Sequence, residues 1–130
     1  MKTVADVNAI QMRGWPQVEL EFVRQASDDE ALQWLEDMNG LLARKQPFVM
    51  LIHARPNSQF SPEARKALGL WFKEQRANLG QYCLGVARLV DNVEQGQRVV
   101  GEKMQAAMPF PMMAVTSVHA ANHWLRQQLN

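Results

Sequence analysis

At 130 residues, 47% of them apolar, and with a formal charge of +1, the chain has the size and composition of one globular domain with its own core. Its 14 basic and 13 acidic residues are interleaved, which excludes the basic stripe that nucleic acid or an anionic membrane surface requires. The single cysteine, Cys83, excludes a disulfide within the chain, and no residue spacing resembles a zinc-ligand set.

The opening Met1–Asn8 has no apolar run after Lys2, so no secretory signal is expected. The apolar runs elsewhere are too short to cross a bilayer, and the cytoplasm is the expected compartment. Val7 to Arg13 and Gln17 to Gln25 read as two short strands, with Gly14-Trp15-Pro16 as the turn between them. In Val18-Glu19-Leu20-Glu21-Phe22, apolar residues alternate with carboxylates, the period of a strand with one wet face. The pair is expected to form a hairpin at the sheet edge, where the glutamates discourage edge-to-edge pairing.

Ser27-Asp28-Asp29-Glu30 has the pattern of a capping box. The helix it starts carries Ala31, Leu35, Met38 and Leu42 on one stripe, flanked by Trp34 and Leu41. Its acidic first turn and Arg44-Lys45 at its end suit the helix dipole. Beyond Pro47, Phe48-Val49-Met50-Leu51-Ile52 is the unbroken apolar run of a strand covered on both faces. Ser61-Pro62-Glu63 begins a second helix, with apolar positions at Ala64, Ala67, Leu68, Trp71, Phe72 and Leu79.

Tyr82 to Val90 reads as the next strand. Asp91-Asn92-Val93-Glu94 then starts a third helix, with Val93, Val100, Met104 and Ala107 on one face and two weakening glycines, Gly96 and Gly101. Pro109 and Pro111 end it. Met112 to Val118 is the expected last strand, and Ala120 to Leu129 the last helix, with Trp124 and Leu125 facing in. Strands alternating with helices predict an α/β fold: a mixed, mostly parallel sheet of four to five strands with four helices on both faces, as one domain over 1–130.

An N-terminal hairpin, three further strands each preceded by a helix, and a closing helix resemble the STAS domain and the related SpoIIAA-like proteins. Two segments strengthen the likeness: Asp29-Glu30-Ala31-Leu32-Gln33-Trp34-Leu35 and His119-Ala120-Ala121-Asn122-His123-Trp124-Leu125. Both resemble the acidic, Ala, two variable positions, then Trp-Leu helices that small bacterial SpoIIAA-like proteins carry after the hairpin and at the C-terminus. The resemblance implies a non-enzymatic regulatory module that docks a protein partner. In the anti-sigma-factor antagonists, an aspartate and then a phosphorylated serine or threonine followed by glycine come after the strand corresponding to Phe48–Ile52. Here the stretch is His53-Ala54-Arg55-Pro56-Asn57-Ser58-Gln59-Phe60-Ser61-Pro62, with Ser58 and Ser61 present but the aspartate and glycine absent.

In open α/β sheets, ligands gather outside the carboxyl ends of the strands. His53, Arg55, Asn57 and Ser58 follow one such end, Arg88 and Asp91 the next, and Thr116, Ser117 and His119 the last. Two readings follow. In the first, the segment around Asn57–Pro62, with Ser58 and Ser61, and the helix carrying Trp71 dock a protein; Trp71 or Phe72, and Trp15, are the candidate exposed aromatics. In the second, His53, Arg55, Arg88 and His119 converge on a small molecule or anion, in a binding protein or an enzyme. A homodimer through the hairpin edge fits either reading. Cys83, inside a strand, reads as a buried and inert thiol. No phosphate loop, metal triad or Ser-His-Asp order is present, so neither catalytic residues nor cofactors are expected.

Overall fold

The computed structural model describes residues 8–130. The expected strand start at Val7 lies outside the described residues. Strands β1 (Ile10–Arg13) and β2 (Gln17–Phe22) pair antiparallel, with Ile10 opposite Phe22 and Arg13 opposite Glu19. Gly14 turns the chain between them at φ +89°, where an added Cβ would stand 2.6 Å from the carbonyl oxygen of Gln17. Only glycine fits such a place. Trp15, an expected surface aromatic, is half-buried: its ring lies 5.6 Å from that of Phe48, under the Arg44 guanidinium at 4.2 Å.

Helix α1 (Asp28–Ala43) opens with the expected capping box, in which Ser27 Oγ accepts from the Glu30 amide and Glu30 accepts from the Ser27 amide. Its apolar stripe is buried at Ala31, Trp34, Leu35, Met38, Leu41 and Leu42. Strand β3 (Phe48–Ala54) follows, then α2 (Pro62–Tyr82), capped by Ser61 with Pro62 in its first turn. The helix runs without a loop into β4 (Cys83–Leu89), so Tyr82 ends a helix rather than starting a strand. The third expected helix is divided at Val100 and Gly101 into α3 (Val93–Val99) and α4 (Glu102–Ala107). Glycine favours such a break, and α4 buries none of its residues, so packing does not hold the two pieces in line. Strand β5 (Met112–Val115) is shorter than expected, because Ser117 Oγ accepts from the Ala120 amide and starts α5 (Val118–Leu129).

The strands lie in the order β1-β2-β3-β4-β5, and every pair after the hairpin is parallel. Each crossover therefore steps in the same direction, and right-handed connections bring successive helices to one face. On that face Val18, Leu20, Phe48, Met50 and Val86 form a core with Trp34, Leu35 and Met38 of α1 and Trp71 and Leu79 of α2. On the other, Val49, Leu51, Ala87 and Val115 pack against Ala121 and Leu125 of α5. Phe48 and Leu125, one in each core, are fully buried. Helices thus cover both faces as expected, with the connecting helices on one side and α5 on the other. Helix α3 reaches β5 through Gly96, where an added Cβ would come within 2.9 Å of Ala114 Cβ. Among the described residues no helix is long and apolar enough to cross a membrane.

Candidate functional site

Side chains along a strand alternate between its faces. In β3, Phe48, Met50 and Ile52 turn toward α1 and α2, and Val49 and Leu51 toward α5. Register carries this across the sheet: Met50 pairs with Val86 and Val86 with Met112, while Ile52 pairs with Arg88. Arg88 therefore stands on the same face as Ile52, beneath α2.

Between that face and α2 is a pocket of about 660 Å³, opening at the carboxyl ends of β3 and β4. Met50, Ile52, Val86, Arg88 and Met112 form its floor, and α2 roofs it with Leu68, Trp71 and Phe72. At one end Phe22, Trp34 and Phe60 form an aromatic cluster. Trp34 and Phe60 stack at 5.8 Å, and Phe22 meets them edge-on at 5.4 and 5.6 Å. At the other end are Met108 and Phe110, the latter edge-on to Phe72 at 6.5 Å. Of the five phenylalanines in the chain, only Phe48 is not in the lining.

Polar groups in the lining are few and belong mainly to the mouth: Arg55, Ser58, Gln59, Asp91 and Gln95. Arg55 Nε donates to Glu21 Oε2 at 2.8 Å, and Ser58 Oγ donates to the Arg55 carbonyl at 2.6 Å. The Asp91 amide donates to Gln95 Oε1 at 2.7 Å, which fixes the start of α3 at the rim. Arg88 is half-buried, and its guanidinium has no hydrogen bond or ion pair with any described residue. Burial lowers its pKa from the ordinary arginine value, the direction expected when a cation is taken from water without a counter-charge.

The pocket gathers Arg55, Ser58, Trp71, Arg88 and Asp91, all singled out in the sequence. It does not gather the histidines. His53 follows Ile52 and so points to the opposite face, where its Nδ1 is 3.6 Å from Glu21 Oε2. His119 is exposed on the first turn of α5, the helix on that same far face. The expected convergence of both histidines with Arg88 therefore fails, for a reason of strand alternation. Asn57 is exposed at the outer bend of the loop, at φ +60°. Ser61 is engaged as the α2 cap: its Oγ accepts from the Ala64 amide at 3.0 Å and donates to Asp28 Oδ1 at 2.5 Å. Trp71 is inside the protein, 9% exposed, and its Nε1 donates to Asn39 Oδ1 at 2.7 Å. Thr116 is exposed, and Ser117 serves as a cap.

Sequence reasoning missed Phe22, Phe60 and Phe110 as pocket residues. The available signal was that Phe60 and Phe110 are large apolar residues in segments of no helical or strand period, Phe110 between two prolines and Phe60 two residues before one. A second cavity, about 710 Å³, runs between α1 and β1 and is bordered by Gln11, Glu36, Asp37 and Arg44. Its borders mix both charges and gather none of the rim residues. Among the described residues no three His, Cys, Asp or Glu side chains are placed to share a metal ion. Searches of protein-family models, curated proteins and solved structures found no match for the chain.

Proposed function

We propose that the protein binds a small molecule with an apolar body in the pocket between α2 and the sheet. The observation that carries this reading is the pocket itself: about 660 Å³ of space, walled by phenylalanine, tryptophan and methionine, at the carboxyl ends of parallel strands. Sites of this volume, apolar with a few polar groups at one end, are the usual form of a small-molecule site. A domain of this size gains stability by filling its core, and leaving such a volume open forfeits dispersion contacts. A ligand that fills it restores them.

The order of hairpin, crossovers and closing helix supports a SpoIIAA-like reading of the fold, which would bring with it a protein-docking role. The aromatic pair on α2 lends that role little support, since Trp71 is buried and Phe72 lines the pocket. The segment around Ser58 and Ser61 enters the ligand reading as the wall of the mouth.

The test is a titration with N-phenyl-1-naphthylamine, a neutral fluorophore that brightens in apolar surroundings. Saturable binding of one molecule per chain is expected. Ala54→Phe, which adds a ring at the end of β3, should abolish it while leaving the far-ultraviolet circular dichroism unchanged. Non-saturable fluorescence, or equal binding by a folded Ala54→Phe variant, would remove the reading.

A further inference from the structure

We infer that the molecule held in this pocket is a monocarboxylic acid with a flat or extended apolar body, its carboxylate meeting Arg88. The inference rests on the pocket as a ligand site and adds the chemistry of the ligand.

Arg88 projects from a floor otherwise made of Met50, Ile52, Val86 and Met112. A guanidinium keeps its charge at neutral pH, and placing it among apolar side chains without a partner is unfavourable. The neighbouring arginine does not share this condition: Arg55 is paired with Glu21 at 2.8 Å. Arg88 pairs with none of the described residues. Its planar fork matches a carboxylate through two parallel hydrogen bonds, and in a partly dehydrated site such bonds are strong.

Charge at the mouth limits the anion further. The charged residues of the lining are Arg55, Arg88 and Asp91, and Arg55 already carries the Glu21 carboxylate. Asp91 is exposed at the mouth, unpaired with Arg88, and opposes a second negative charge on the ligand. One free cation facing one carboxylate favours a single charge over a phosphate dianion. The remainder of the pocket sets the body of the ligand. The Phe22, Trp34 and Phe60 cluster offers ring faces and edges, the surfaces on which flat apolar groups stack. The acid is thus read in two places, by the cation at the floor and by the rings of the cluster.

The experiment compares 1-pyrenebutyrate, 1-pyrenebutanol and 1-pyrenebutyl phosphate on the full chain, read by energy transfer from the tryptophans to pyrene and by calorimetry. The acid should bind more tightly than the alcohol by on the order of ten- to a hundredfold, the range for a hydrogen-bonded charge pair. It should also bind more tightly than the phosphate. Arg88→Met, of similar length and uncharged, should bring the acid down to the affinity of the alcohol and leave the alcohol unchanged. The comparison on the unaltered chain decides the question even if Arg88→Met fails to fold. Equal binding of acid and alcohol would overturn the carboxylate assignment and leave the apolar pocket standing. Tighter binding of the phosphate would overturn it in favour of a phosphoryl ligand. Binding of none of the three, together with failure of the neutral naphthylamine, would remove the pocket reading itself. A chain that sediments as a dimer and takes up pyrenebutyrate only on dissociation would show that a second copy fills the site, and that too overturns the proposal.

Discussion

Trp71 donates its indole hydrogen to Asn39 Oδ1 at 2.7 Å, across the seam between α1 and α2. The bond fixes the middle of α2 against α1. The space beside Trp71, over Val86 and Arg88, then stays open as the pocket. Replacing Asn39 by alanine leaves a buried indole N–H without its acceptor, which costs about 1–3 kcal/mol. Asn39→Asp keeps an acceptor and is expected to lose less. Urea denaturation followed by circular dichroism checks both, and equal losses would mean that the bond itself contributes nothing.

Glycines in similar helical settings should respond in opposite directions. At Gly96 a methyl group would stand 2.9 Å from Ala114 Cβ and 3.4 Å from Val90 Cγ2, so α3 must move off β5 to admit it. Gly96→Ala is expected to destabilise by about 1–3 kcal/mol, the usual effect of overpacking. At Gly69, on the exposed side of α2, an added Cβ meets nothing within 4 Å. Gly69→Ala should stabilise by about 0.5–1 kcal/mol through helix propensity alone. Thermal melts of the two variants beside the parent protein are enough to tell.

Acid should weaken the fold through Glu30. Partial burial pushes its carboxyl up, but amide donors from Ser27 and Ala9 and the bonds and charge of Arg24 outweigh that, and the group is held at about 2. Arg24 grips both carboxylate oxygens, at 3.0 and 2.9 Å, and the Ala9 amide reaches Oε2 at 3.0 Å. Because the folded value is below the unfolded one, this stabilisation is fully present above the ordinary carboxylate range. It is lost as pH falls from about 4.5 toward about 2. Glu30→Gln should flatten the acid limb of the stability curve over that window, with a loss at neutral pH of roughly 1 kcal/mol, the scale of a helix cap. Denaturation midpoints measured at intervals from pH 2 to 7 would show it; an unchanged acid limb would contradict it.

Cys83 should be chemically silent in the native protein. Burial pushes its thiol up to about 12, and the thiol donates a weak bond to the Gly85 carbonyl at 3.7 Å. Reactivity follows the thiolate, so Ellman's reagent at pH 8 is expected to label the chain only as it unfolds. The labelling rate should rise with urea in step with the loss of helix signal. Rapid labelling in buffer alone would contradict a buried thiol.

Local chemistry made much of the fold legible. The Ser27–Glu30 capping box, Pro62 after Ser61, and the apolar run at Phe48–Ile52 each state their element within a few residues. Boundaries were less legible where two signals overlapped. Tyr82 has strand propensity, yet α2 continues through it until Cys83 enters the sheet. Val118 is β-branched and suits a strand, yet the Ser117 cap claims it for α5.

The candidate site was legible only in part. His53 and Arg88 both stand near strand ends, but sequence position alone does not say which face each one takes. That depends on register: Ile52 lies beside Arg88, so His53, one residue on, points away. The α/β order, the helix caps and the existence of an apolar interior were legible from residue order, because those depend on neighbours a few residues apart. That α2 stands off the sheet, that phenylalanines from a strand, two loops and a helix meet around the gap, and that Arg88 faces into it unpaired emerge only once the elements pack. Those outcomes depend on how far apart packed elements settle, which the balance of side-chain volumes across the whole sheet determines.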